Sequence, residues 1–128
     1  MDLLLDTHSL LWLAAGDGKR LSALSRRLIE DNENTKYVSM ATFWEIAIKL
    51  SIRKLELKKG FISIVEFVKD AGFQIISISI EQIEIVKDLP LLHRDPFDRI
   101  LIAQAENRNL TIVTVDKNIK LYNIKTIW

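Results

Sequence analysis

The 128-residue chain has no cysteine. That excludes disulfides, thiolate zinc sites and a cysteine nucleophile, and it fits an intracellular protein. It has only two prolines and four glycines, too few for a Pro/Gly-rich linker or disordered tract. No internal repeat or low-complexity segment interrupts it. Long apolar runs are missing as well: none approaches the roughly 18 residues that a membrane-spanning helix needs, so no membrane role is expected. Met1-Asp2 leads directly into an apolar run without a basic stretch, so a secretory leader is not expected and a cytoplasmic location is. Net charge is nearly absent too, at +1, so the chain as a whole is no electrostatic magnet for nucleic acid. Charge is instead local. Lys49, Arg53, Lys54, Lys58 and Lys59 fall within eleven residues, opposed only by Glu56. Such a cluster reads as a solvated helix face and loop, and beside an acidic site it would also suit a phosphate backbone.

What is present is the composition of one globular domain, 48% hydrophobic and 27% charged, long enough for a real core and too short for two. The pattern alternates strands with helices. Leu3–Leu5 reads as a strand, Thr7–Ala15 as a helix stopped at Gly16-Asp17-Gly18, and Ser22 as the N-cap of a helix running to about Asn32. Strands are expected at Lys36–Ser39, Gln74–Ser79, Thr111–Val115 and Lys125–Trp128. Helices are expected at Ala41–Lys54, Phe61–Ala71 with Gly72 beyond its end, Glu81–Leu89 and Pro96–Asn109, with a short one near Asn118–Leu121. Strands separated by helices imply right-handed crossovers and a parallel sheet covered on both faces. The strand order is not readable from this pattern.

Two of the apolar strands end in an aspartate: Leu3-Leu4-Leu5 in Asp6, and Thr111–Val115 in Asp116. Ligands of open α/β sheets bind beyond the carboxyl ends of the strands, so these acids are expected to meet at one edge. Glu45 and Asp98 lie on segments that could join them. Four carboxylates without a basic partner would repel one another, and a divalent cation is the usual remedy. Each acid also has a plain structural role: Asp6 as a helix N-cap, Glu45 as the i,i+4 partner of Lys49, Asp116 as the cap of the next helix. Asp95 before Pro96 carries the N-cap signature, which leaves Asp98 at the third helical position as the exposed site residue. Thr7 is expected to hydrogen-bond a site carboxylate or water, or a helix-start amide. His8 and His93 are the only histidines, expected to touch a substrate or a partner if they act at all. Arg94 and Arg99 are expected either to contact phosphates or to pair with Asp95 or Glu106. Leu10-Leu11-Trp12-Leu13 nearly encircles the first helix, so more than one side of it is expected to be covered, by the core and, as one option, by a second subunit.

The run Leu3-Leu4-Leu5-Asp6-Thr7, then Trp44-Glu45-Ile46-Ala47, then Asp95-Pro96-Phe97-Asp98-Arg99-Ile100-Leu101-Ile102-Ala103-Gln104-Ala105, then Thr114-Val115-Asp116 resembles the PIN-domain ribonucleases, and among them the VapC-like toxins of toxin–antitoxin pairs. The resemblance covers nearly the whole chain as a single PIN domain over residues 1–128. It implies a three-layer α/β/α fold around a five-stranded parallel sheet of order 3-2-1-4-5. It also implies a metal-dependent endoribonuclease with Asp6, Glu45, Asp98 and Asp116 as catalytic and metal-binding acids. Oxygen donors without sulfur favour Mg²⁺ or Mn²⁺, with Asp6 and Asp98 as principal ligands, Glu45 positioning water and Asp116 completing the set. An RNA substrate, a cognate antitoxin and a homodimer are the implied partners.

Other readings compete. A PIN fold kept only as a catalytically silent RNA-binding or antitoxin-binding module would look the same in sequence. A phospho-receiver would need an accepting aspartate after the third strand, where Ser77-Ile78-Ser79 stands, and a haloacid-dehalogenase-like phosphatase would need Asp-x-Asp where Asp6-Thr7-His8 stands.

Overall fold

Leu3, Leu4 and Leu5 are fully buried, and their alternation divides the molecule into layers. Leu3 and Leu5 face one core with Leu10, Phe43, Ile46, Ile64 and Val68, while Leu4 faces the other with Leu101, Ile102, Ala105, Ile112 and Ile119. Successive strand residues point to opposite faces, so a strand covered on both sides reads as a continuous apolar run. The computed structural model describes every residue, Met1–Trp128. In chain order the elements are β1 (Asp2–Leu5), α1 (Thr7–Ala14), α2 (Ala23–Glu30), β2 (Thr35–Ser39), α3 (Met40–Ser51) and α4 (Phe61–Asp70). There follow β3 (Gln74–Ile76), α5 (Ile80–Asp88), α6 (Pro96–Arg108), β4 (Thr111–Val113) and β5 (Thr126–Ile127), with 3₁₀ turns at Gly18–Arg20 and Ile119–Leu121.

All five strands are parallel, in the order β3-β2-β1-β4-β5, as the family resemblance implies. The central pair aligns Leu5 with Val113, so the next residues, Asp6 and Thr114, leave the sheet side by side. Helix starts follow the expected caps: Ser22 takes the Ser25 amide, and Asp95 takes those of Phe97 and Asp98. Gly72, at φ +78°, supplies the left-handed turn after α4.

Two strands are shorter than their apolar runs. β4 stops at Val113 because the Thr114 hydroxyl turns to take the Asp116 amide. β3 stops at Ile76, and Ser79 becomes the N-cap of α5 in a capping box with Gln82. α3 ends at Ser51, short of Lys54, where Arg53 adopts a left-handed φ of 58°. Trp12 of α1 finds its cover within the chain: the Trp128 ring lies edge-on at 5.8 Å and the Arg20 guanidinium at 5.2 Å. Leu11, Trp12 and Leu13 remain half-buried.

Candidate active site

Asp6 caps α1 and closes on the neighbouring strand. Its Oδ1 accepts from the Ser9 amide at 2.9 Å, and its Oδ2 from the Thr114 hydroxyl at 2.5 Å. Thr114 Oγ1 in turn accepts the Asp116 amide at 3.0 Å, and Asp116 Oδ1 takes the Asn118 amide at 2.8 Å. One hydroxyl thus links the two strand-end acids. On the other side, Thr7 donates to Glu45 Oε1 at 2.6 Å, tying α3 to the start of α1. Thr7 therefore bonds one of the four candidate acids. Asp98 sits in the first turn of α6, and the Asp95 and Asp116 carboxylates are near enough to act on its charge. The four acids form a series, Glu45–Thr7/Asp6–Thr114–Asp116–Asp98, along the carboxyl edge of β1 and β4. Hydrogen bonds join Asp6 to Asp116 through Thr114, Asp98 feels Asp116 only through its charge, and no three of the acids are drawn onto a common point.

Their electrostatics correct the expectation of four unpartnered carboxylates. Glu45 is only 5% exposed, and its Oε2 lies 2.7 Å from Lys49 Nζ. The helical i,i+4 spacing delivers that cation directly. Asp98 Oδ2 lies 3.1 Å from His93 Nε2. Asp98 is half-buried and not exposed, and its pKa is pushed up to about 7, first by burial, then by the Asp95 charge and, further down, by Asp116, against the hydrogen bond from His93. The pKa of Asp6, 4% exposed, is raised by burial, against the hydrogen bonds from Thr114 and Ser9 and the charge of His8. Repulsion among the acids therefore counts at Asp98, while at Asp6 desolvation does the lifting.

Several neighbours differ from their sequence reading. Arg99 is not a surface group: it is 7% exposed and donates to the carbonyls of Val86, Leu89 and Pro90 and to the Tyr122 hydroxyl. It contacts neither Asp95 nor Glu106, because α6 turns it inward against the end of α5. Arg94 is exposed. His93 reaches Asp98 within the chain. In the basic cluster, Lys49 reaches the acids through Glu45, while Lys58 and Lys59 line a groove of about 400 Å³ whose walls include none of the four. Thr114 and Tyr122 were missed by sequence reasoning. A threonine two residues before Asp116, on a strand paired with β1, was the available signal for the first. Tyr122 carries none, since it follows a turn whose position depends on the whole fold.

The family model for the PIN domain matches residues 3–125. Among curated proteins, none matches the sequence. Solved structures share the fold: VapBC2 from Rickettsia felis, bound to a DNA fragment from its promoter, superposes with a TM-score of 0.73 at 18% identity over 100% of this chain and 99% of that one. FitAcB from Neisseria gonorrhoeae gives 0.66 at 19% identity, covering 98% of this chain and 96% of that one. DNA-bound VapBC from Salmonella typhimurium gives 0.69 at 14% identity, with 99% and 97% covered. With its sheet order, its acids at the carboxyl edge and a family match over nearly its full length, this chain belongs to the PIN-domain family.

Proposed function

We propose that this protein is a divalent-metal-dependent endoribonuclease and the toxin of a toxin–antitoxin pair. PIN-domain proteins are nucleases as a family. The observation that carries the reading for this chain is Asp98: a half-buried carboxylate held near a neutral pKa by burial and by Asp95 and Asp116. Burial is the first cause of that shift and the neighbouring carboxylates add to it, so a cation bound there would offset the charge that burial and its neighbours disfavour. The donors fit a hard ion, since the series contains oxygen alone and no sulfur. Asp98, Asp6 and Asp116 would hold Mg²⁺ or Mn²⁺ once their side chains turn toward a common point, which the metal-free arrangement does not bring about. A bound ion of this kind polarises a phosphodiester and lowers the pKa of water.

The chain's own groups supply the rest. Thr114 fixes Asp6 and the Asp116 backbone relative to each other. Glu45 orients the attacking water. Both its oxygens are engaged by Thr7 and Lys49, so this task requires Lys49, half-buried at the helix surface, to swing away toward the substrate phosphate. The antitoxin pairing is supported by the fold, which is shared with a chain of the VapBC2 and FitAcB structures. The antitoxin would cover the acidic edge. A homodimer is supported by exposed apolar side chains on α3, where Trp44 is 61% exposed and packs edge-on against Phe97 at 5.3 Å. No helix is long and apolar enough to cross a membrane, which accords with a cytoplasmic toxin.

The purified chain should cleave a structured RNA with Mg²⁺ or Mn²⁺ and stop with EDTA. Asp98→Asn should lose cleavage and keep RNA binding. Cleavage that survives exhaustive chelation overturns the metal requirement. Asp98→Asn cleaving like the wild type would favour a fold kept for binding alone.

A further inference from the structure

Asp98 is held by a chain of hydrogen bonds whose direction can be read atom by atom. His93, in the segment before α6, places Nε2 3.1 Å from Asp98 Oδ2 and Nδ1 2.8 Å from the Tyr122 hydroxyl. The same hydroxyl receives Arg99 Nη1 at 2.8 Å and the His93 backbone amide at 3.3 Å. Guanidinium and amide groups can only donate, and a phenol oxygen accepts two hydrogen bonds and donates one. Both acceptor positions of Tyr122 are therefore filled, and its own proton goes to the remaining neighbour, His93 Nδ1. That nitrogen must be bare. The imidazole proton then sits on Nε2 and points at Asp98 Oδ2.

The source of this polarity is fixed as well. Arg99 cannot surrender its donors, and its other contacts are the carbonyls of Val86, Leu89 and Pro90 at and beyond the end of α5. The His93 ring also rests edge-on against Tyr122, with centroids 5.4 Å apart. Arg99 thus directs Tyr122, Tyr122 directs His93, and His93 directs Asp98. No other hydrogen bond within the chain reaches the Asp98 carboxylate, so Oδ1 accepts none.

We propose that His93 is a positioning residue for Asp98: the Arg99–Tyr122 pair locks it as the Nε2–H tautomer, and its N–H clamps Oδ2 so that Oδ1 faces the site. The inference rests on the reading of Asp98 as a site carboxylate. His93 does not touch the reacting atoms. It limits the freedom of a carboxylate that would otherwise turn about its side-chain torsion, and groups that orient ligands in this way are worth about 10- to 100-fold in metal affinity or activity.

The test compares wild type, His93→Leu, His93→Gln and Tyr122→Phe. Nitrogen-15 spectra of the metal-free protein should show one imidazole tautomer for His93, protonated at Nε2. Tyr122→Phe, which keeps the ring and loses the hydroxyl, should give a mixture. With Mn²⁺ as probe, His93→Leu should weaken binding and lower kcat about 10- to 100-fold at unchanged KM for RNA. His93→Gln, whose amide can still donate to Oδ2, should recover most of both. A wild-type His93 protonated at Nδ1 overturns the proposal, as does His93→Leu with wild-type Mn²⁺ affinity and kcat. Should His93→Leu fail to fold, Tyr122→Phe decides: unchanged tautomer and kcat would overturn it. Wild-type protein without any cleavage would overturn the nuclease reading, and the tautomer and Mn²⁺ affinities then decide the role of His93 by themselves.

Discussion

Asp95 and Asp98 lie three residues apart in the same helix turn and have opposite relations to the chain. Asp95 is satisfied: its Oδ1 takes the amides of Phe97 at 2.9 Å and Asp98 at 3.1 Å. Asp98 receives one imidazole and otherwise faces burial and like charge. Asparagine caps helices about as well as aspartate, so Asp95→Asn should cost less than about 1 kcal/mol of stability. It should also lower the pKa of Asp98, because it removes the second-largest cause of the elevation. Asp98→Asn should abolish cleavage while folding normally. Carboxyl-carbon titration by NMR, with cleavage assays on both variants, checks the division; equal loss of cleavage in two folded variants would refute it. This much was legible in the sequence, because proline after Asp95 marks the cap and a cap leaves the third helical position to its neighbour. Lys49 was readable too, as the i,i+4 partner of Glu45, whereas the His93 contact with Asp98 was not, because it depends on how the segment before α6 folds back.

At the scale of elements, helices and strands were largely legible, because apolar runs, caps and glycine stops are local signals. Their ends were less so: β4 stops where the Thr114 hydroxyl takes the Asp116 amide, and β3 stops three residues before Ser79 caps α5. Relations between elements were not legible at all. Thr114 meets Asp6 across 108 residues because β1 and β4 are neighbours, a fact the periodicity does not contain. Arg99 is the clearest case. Read as a surface cation, it is instead the tie between α6 and the end of α5, bonding the Leu89 carbonyl just past the helix and the Val86 carbonyl that also takes the Leu89 amide. Arg99→Lys keeps the charge and loses the fork of donors. It should destabilise the fold by roughly 1–3 kcal/mol, the usual cost of leaving buried polar groups unmet, and speed amide exchange selectively in Leu89–Leu92. Urea unfolding and exchange mass spectrometry measure both. A uniform change in exchange over the molecule would show that Arg99 does not act as a local tie.

For the whole molecule, the proposed dimer face and the acid series make separate demands on stability. Trp44→Glu should yield a monomer by sedimentation if α3 carries the dimer; an unchanged sedimentation coefficient of a wild-type dimer would place the interface elsewhere. The acids act through proton linkage. Asp6 and Asp98 both have folded-state pKa values raised above the unfolded value of about 4. The folded metal-free protein therefore holds more protons than the unfolded chain across that interval. Stability contributed by these groups is complete below about pH 4 and is lost as pH rises through the folded values, for Asp98 about 7. A divalent ion that binds only the native site should reverse the loss, by about 2.7 kcal/mol at a hundredfold excess over its dissociation constant. Asp6→Asn removes a buried charge while its amide oxygen can still take the Ser9 N–H, with Thr114 turned to accept the new amide protons. The metal-free variant should thus be at least as stable as wild type above neutral pH, with a smaller decline in stability between about pH 4 and 8. Because Asp6 is also a proposed ligand, the same variant should lose most of the Mg²⁺-induced rise in Tm. Thermal melts of both proteins with and without Mg²⁺ across this range separate the two effects. A Mg²⁺ response unchanged in Asp6→Asn would mean that Asp6 serves as the α1 cap alone and that the ion binds nearer Asp98 and Asp116.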